Sequence, residues 1–233
     1  MKKLIKKLFG IVLLAAVCVG GFYTAMGYGM YRAKVAEQSI EDRIEKVREN
    51  ASYTTLDGVV QIYKDAVISV EDSRFYKHSG VDIVALFRAM VTNIREKEFV
   101  QGGSTISQQF AKNLLFSHDQ SLSRKIAELF ATYYIEKNYE KDEILELYMN
   151  VIYYGDGYYN IHDASKGYFG VAPQSLTPYQ ATMLAGVPNA PSVYAPTKNL
   201  ELAQKRQDKV LERMVETGAI TQEEMNEILK DRR

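Results

Sequence analysis

The chain is 233 residues long, with 29 basic and 29 acidic side chains, a formal charge of zero and no tryptophan. That length suits one domain with a substantial core, and a charged fraction of 25% fits a globular chain rather than a disordered one. The balanced charge argues against bulk electrostatic capture of nucleic acid, so no nucleic-acid partner is expected.

In chain order, Lys2, Lys3, Lys6 and Lys7 precede an uncharged run of 24 residues from Leu8 to Tyr31. About 20 apolar residues are enough to cross the hydrocarbon core of a bilayer. The lysines favour a cytoplasmic side for the N-terminus. Residues 1–7 therefore read as a cytoplasmic tail, 8–31 as a single transmembrane anchor, and everything after Arg32 as extracytoplasmic. A cleaved signal peptide is the competing reading, but no clear Ala-x-Ala site follows the apolar stretch. A lipoprotein signal fits poorly, because Val17 precedes Cys18 where a small residue is expected. Cys18 is the only cysteine, which excludes an internal disulfide and a cysteine-based metal site. His78, His118 and His162 lie far apart and lack ligand spacing.

Residues 32–52 are charged with a loose helical period and read as a stalk, followed by one mainly α domain over 53–233. "GVDIVALFRAMVTNIREKE" places Ile83, Leu86, Phe87, Met90 and Ile94 on one helical face. "SLSRKIAELFATYYIEKNY" and "KDEILELYMNVIYYG" are two further amphipathic helices. In "LTPYQATMLAGVP", Thr177 caps, Pro178 fits the first helical position and Gln180 completes a capping box. "TQEEMNEILK" repeats that logic with Thr221 and Glu224.

Three stretches could carry chemistry. In "GGSTISQQFAKN", Ser104 or Thr105 can cap a helix, and Gln108 stands where a capping box with Thr105 requires it. Free first-turn amides and the helix dipole favour an anion, and Lys112 lies one turn beyond Gln108 on the same face. Taken alone, this also describes an ordinary capped helix with a solvated lysine. "ISVEDSRFYKHSG" sets Glu71 and Asp72 after an apolar run, where a carboxylate can serve as a general base or simply be solvated. "SRKIAELF" puts Arg124 and Lys125 one turn before Glu128, a pattern that also fits a surface ion-pair ladder.

Taken together, "EDSRFYKHSG", "GGSTISQQFAKN", "RKIAE", "KDEILELYMNVIYYG" and "LAGVPNAPSVYAP" occur in the order of one family. The chain resembles the peptidoglycan glycosyltransferases, the transglycosylase module of class A penicillin-binding proteins, and best matches their monofunctional membrane-anchored form. The resemblance runs from about Tyr53 to Met214. It implies a lysozyme-like helical fold with a small membrane-facing jaw lobe, here the neighbourhood of Phe87–Gln101. That surface mixes apolar residues with Arg88 and Arg95, a composition suited to the lipid–water interface.

The resemblance further implies polymerisation of lipid II into glycan strands, with inversion at the anomeric carbon and release of undecaprenyl diphosphate. Glu71 matches the family's catalytic glutamate, and Glu128 the second carboxylate, acting at the donor diphosphate and able to hold a divalent cation such as Mg or Mn. Lys112, Arg124 and Lys125 are the implied diphosphate cations, with Ser104, Thr105, Gln108, Gln109 and Asn113 shaping the pocket and Arg88 a further phosphate-facing group. Arg206 and Arg213 are implied on the acceptor side. The implied partners are lipid II, the growing strand, the bilayer, and other cell-wall synthesis or division proteins. One departure stands out: Gln120 occupies a place where many members carry arginine. The alternatives on the same fold are a lysozyme-like lytic enzyme, for which a Lys- and Gln-rich donor motif is superfluous, and a non-catalytic cell-wall scaffold, against which both glutamates argue. No serine is followed three residues later by lysine, so the nucleophile motif of a penicillin-binding domain does not occur in this chain.

Overall fold

The computed structural model describes residues 2–96, 102–116 and 121–232. Gln120, His118 and the 97–101 part of the expected jaw lie outside the described residues. Among the described residues there is no strand, and the mainly α expectation holds.

Helix α1 (Lys2–Glu37) carries the whole apolar run without a break. At 1.5 Å per residue its 36 residues extend about 54 Å, more than a bilayer core. It is long and apolar enough to cross a membrane, and most of its apolar stretch is solvent-exposed in the isolated chain, its last turns resting on α6. Helix α2 (Ile40–Arg48) follows, with the Ser39 hydroxyl accepting from the Asp42 amide. Its Ile40 and Ile44 are buried in the core, while its charged side chains face outward. The stalk reading of residues 32–52 is corrected at this point. Two isoleucines at i, i+4 form a core stripe narrow enough to be hidden by the surrounding charges.

The body is built from α3 (Gln61–Glu71), α4 (Ile83–Glu96), α5 (Ile106–Leu115), α6 (Leu122–Asn138) and α7 (Lys141–Met149). It continues with α8 (Ile161–Phe169), α9 (Pro178–Gly186), α10 (Pro191–Tyr194), α11 (Leu200–Thr217) and α12 (Gln222–Lys230). The capping boxes read from Thr105–Gln108, Thr177–Gln180 and Thr221–Glu224 are all formed. Helix α3 packs on α9 and α11, and α5 lies against both α6 and α7. Tyr63, Phe110, Ile135 and Tyr148 are fully buried between these layers. The ends of α3, α5 and α6 are thereby held in fixed relation, and they carry the residues singled out above.

Helix α4 stands apart from this packing. Ile83, Leu86, Phe87, Met90 and Ile94 share one face, as expected, but that face is exposed to solvent along with Val84 and Val91. Arg88 is exposed on the same helix. The buried Asp82 caps α4, its Oδ1 accepting from the Val84 and Ala85 amides, while its other oxygen meets Arg74 at 3.0 Å.

Candidate active site

Helix α3 ends at Glu71, and the backbone turns out of the helix at Asp72 with φ −157° and ψ 73°. The two adjacent carboxylates therefore diverge. Asp72 is buried, receives the Ile106 amide at 3.0 Å and meets His78 Nε2 at 2.9 Å. Glu71 turns toward α5 and α11, where Gln109 Nε2 donates to its Oε2 at 2.7 Å. The guanidinium of Arg206 stands 3.7 Å from Glu71 Oε1, which makes no hydrogen bond among the described residues. Arg206 is itself held by the Gly186 carbonyl at 3.3 Å and lies over the Tyr194 ring. Tyr148 donates to Gln109 Oε1 at 3.4 Å. Burial pushes the Tyr148 hydroxyl well above its usual value, and the negative charge of Glu71 adds to that shift. Tyr148 thus stays protonated and orients the amide that orients the carboxylate.

A second cluster forms on α6. Glu128 is fully buried and pairs with Arg124 through Oε1, while Lys125 stands 3.1 Å from Oε2. Lys125 also donates to Ser104 Oγ at 2.9 Å. This is no surface ladder: Glu128 is sequestered and Arg124 mostly so, while Lys125 stays partly exposed at its side. Lys112, in the last turn of α5, has its pKa lowered chiefly by burial, with Arg124 and Lys125 adding to the effect. Glu128 and Glu71 oppose that shift, so Lys112 senses both carboxylates.

The first turn of α5 departs from expectation. The Ile106 amide is engaged by Asp72, the Gln108 amide by Thr105 Oγ1, and the Thr105 amide by Gln108 Oε1. Thr105 and Gln108 are buried, and Thr105 Oγ1 donates to the Gly80 carbonyl at 2.6 Å. The expectation of free amides facing an anion is corrected for these three groups, because a neighbouring carboxylate and the capping box already satisfy them. Positive charge comes from side chains instead. Asn113 is exposed and donates to the Gln109 carbonyl of its own helix. Arg213, two turns along α11 from Arg206, pairs with Glu216. Arg88 lies on the exposed α4.

Three supports were not evident from residue patterns. Asp72 acts as the anchor of α5, Tyr148 as the support of Gln109, and Glu136 as a buried-side acceptor shared by Ser107 and Lys141. Only the Glu71–Asp72 adjacency hinted at the first. Gly80 is a further support. Its φ of +93° and a would-be Cβ 2.9 Å from Thr132 Cγ2 leave room only for glycine beside α6.

Glu128 was also the candidate metal ligand. Among the described residues no group of three or more His, Cys, Asp or Glu side chains could hold an ion, and the neighbours of Glu128 are cations. One carboxylate already matched by Arg124 and Lys125 does not fit the oxygen-rich donor set of Mg or Mn.

The profile of the transglycosylase family matches residues 37–215. The chain belongs to the transglycosylase family. The match begins ahead of α2, in keeping with the burial of Ile40 and Ile44. Among its relatives, this transglycosylase is 38% identical over 188 residues to the monofunctional glycosyltransferase of Staphylococcus aureus, covering 78% of this chain and 70% of that protein. It is 39% identical over 201 residues to penicillin-binding protein 1A/1B of Bacillus subtilis, covering 86% of this chain and 22% of that one. Penicillin-binding protein 1A of Neisseria flavescens is 43% identical over 183 residues, covering 78% of this chain and 23% of its own length. This transglycosylase thus spans under a quarter of the two penicillin-binding relatives and most of the monofunctional one.

Proposed function

We propose that the chain is a peptidoglycan glycosyltransferase that polymerises lipid II, without transpeptidase activity. The observation that carries this reading is Glu71, whose Oε1 has no hydrogen-bond partner among the described residues, on a fold that also buries Glu128 against Arg124 and Lys125. Glu71 Oε1 takes the proton from the 4-hydroxyl of the acceptor sugar, and that oxygen attacks the anomeric carbon of the donor. The bond from that carbon to the diphosphate breaks with inversion, releasing undecaprenyl diphosphate. The leaving group is already an anion, so it needs charge neutralisation rather than a proton. Lys112, Arg124 and Lys125 supply that charge directly. Gln109 and Arg206 aim the base, and Ser104 places Lys125. Helix α1 anchors the chain with its N-terminus in the cytoplasm, and the exposed apolar face of α4 lies in the outer interface as part of the jaw.

A lytic enzyme on the same fold would have to expel a neutral sugar, a task for a carboxylic acid rather than for clustered cations. The test is purified full-length chain with fluorescent lipid II, with and without a divalent metal, beside labelling by a fluorescent β-lactam. Long glycan products and no labelled band at the mass of this chain are expected. Shortening of finished glycan without extension of lipid II would overturn the reading.

A further inference from the structure

Helix α6 is held from both sides. At 100° per residue, Ser123, Ile126 and Phe130 share one face, and Arg124, Lys125 and Glu128 occupy the opposite one. The second face forms the candidate active site. The first is occupied by α1: Ser123 Oγ meets Met26 Sδ at 4.0 Å, and Phe130 packs on Tyr28 and Tyr31 with ring centroids 5.2 and 6.1 Å away. The contacts advance in step along both chains, so the helices run parallel.

Gly27 is the close point of this contact and is buried within it. A Cβ there would stand 2.6 Å from Ile126 Cγ2, 2.7 Å from Ile126 Cβ and 2.9 Å from the Ser123 carbonyl oxygen. Gly10, Gly20, Gly21 and Gly29 on the same helix have nothing within 4 Å of that position. Only Gly27 is notched to receive another helix. It also lies five residues before Arg32, where the apolar run ends, about 7.5 Å along the axis. The start of α6 is thereby set within the last two turns of the apolar run, and Arg124 and Lys125 follow Ser123 directly in the chain.

We propose that α1 is a positioning element as well as a tether: the Gly27 notch seats α6 so that Arg124 and Lys125 stand at the height of a membrane-embedded polyprenyl diphosphate. This rests on the proposed function. The inference concerns the level of the cations relative to the bilayer, so it separates substrates by how they are presented. A membrane-embedded donor requires the docked height, and a water-soluble donor of the same head does not.

The test uses full-length chain in phosphatidylethanolamine–phosphatidylglycerol vesicles, with a Cys18→Ser background for cross-linking. Oxidation of a Met26→Cys, Ser123→Cys pair should join α1 to α6 in the parent and far less in the Gly27→Leu variant. Gly27→Leu should raise the concentration of vesicle-embedded lipid II needed for half-maximal rate about tenfold, as a fall in the docked population requires. Turnover of a short-chain, water-soluble lipid II analogue should stay near the parent value. Gly20→Leu should change neither measurement. Gly27→Ala should show a milder defect that Ile126→Gly relieves, since it removes two of the three crowding atoms. Failure of the parent pair to cross-link, a Gly27→Leu variant normal on both substrates, or an equal loss on both would each overturn the proposal. A parent chain that uses neither substrate would instead overturn the function on which it rests.

Discussion

Replacing Glu71 with Gln tests the centre of the mechanism, because the structure separates its chemical effect from its structural one. The side chain keeps nearly the same shape and still presents an oxygen to Gln109 Nε2, now 2.7 Å from Glu71 Oε2. A charge-assisted hydrogen bond becomes a neutral one, a loss of about 1 kcal/mol. Arg206 loses a partner at 3.7 Å but keeps the Gly186 carbonyl and the Tyr194 ring. Removing a mostly buried carboxylate also removes its desolvation cost, which offsets part of the loss. The net change in stability should stay within about 1 kcal/mol, a shift in Tm of about 2–4 °C for a domain of this size. The rate is affected on another scale. A neutral amide cannot accept the hydroxyl proton, and a positioned base contributes roughly a hundredfold to ten-thousandfold. That corresponds to about 3–5.5 kcal/mol in the barrier. The assay is the initial rate of glycan formation from lipid II at saturation, with thermal unfolding and donor binding measured on the same preparation. A Glu71→Gln protein that is folded, binds donor and still polymerises at more than about a tenth of the parent rate would show that the base lies elsewhere.

Lys112→Ala should weaken binding of a phosphoglycolipid donor-site inhibitor about tenfold to a hundredfold and lower turnover at saturating lipid II, while the exposed Lys137→Ala changes little. Normal inhibitor affinity and normal turnover in folded Lys112→Ala would remove Lys112 from the donor site. Gly80→Ala should destabilise the fold by about 1–3 kcal/mol, since its φ is +93° and its Cβ would press on Thr132 and Glu136. An unchanged Tm for Gly80→Ala would show that the loop carrying His78 yields without cost.

Helix ends were legible in the sequence because a cap is a local event. Thr177, Pro178 and Gln180 lie within four residues, and nothing distant can replace them at that helix end. The stretch over 32–52 was not legible in the same way. Its charges outnumber Ile40 and Ile44, and burial depends on α2 meeting α5, a contact between segments far apart in the chain. The α5 terminus shows the same limit. Its capping box could be read from Thr105 and Gln108, but the occupant of the Ile106 amide is a carboxylate 34 residues earlier. Spacing along each helix put Lys112 one turn beyond Gln108 and Arg124 and Lys125 one turn before Glu128, yet it could not name the partner of each backbone donor.

The adjacency of Glu71 and Asp72 shows how one turn assigns two roles. Because α3 ends between them, their side chains leave in different directions. Asp72 binds the first amide of α5 and fixes where that helix begins. One turn on, Gln109 reaches back to Glu71, and three residues later comes Lys112, whose pKa Glu71 and Glu128 both push upward against the effect of burial. The placement of Gln109 and Lys112 relative to Glu71 is therefore set by a single helix whose origin is tied to the residue beside Glu71. A shift of α5 along its axis would change both distances together. The same helix packs on α6, whose far face meets the anchor. Under the proposed function, the base, the diphosphate cations and the anchor are linked through the end of α3, α5, α6 and α1 in turn.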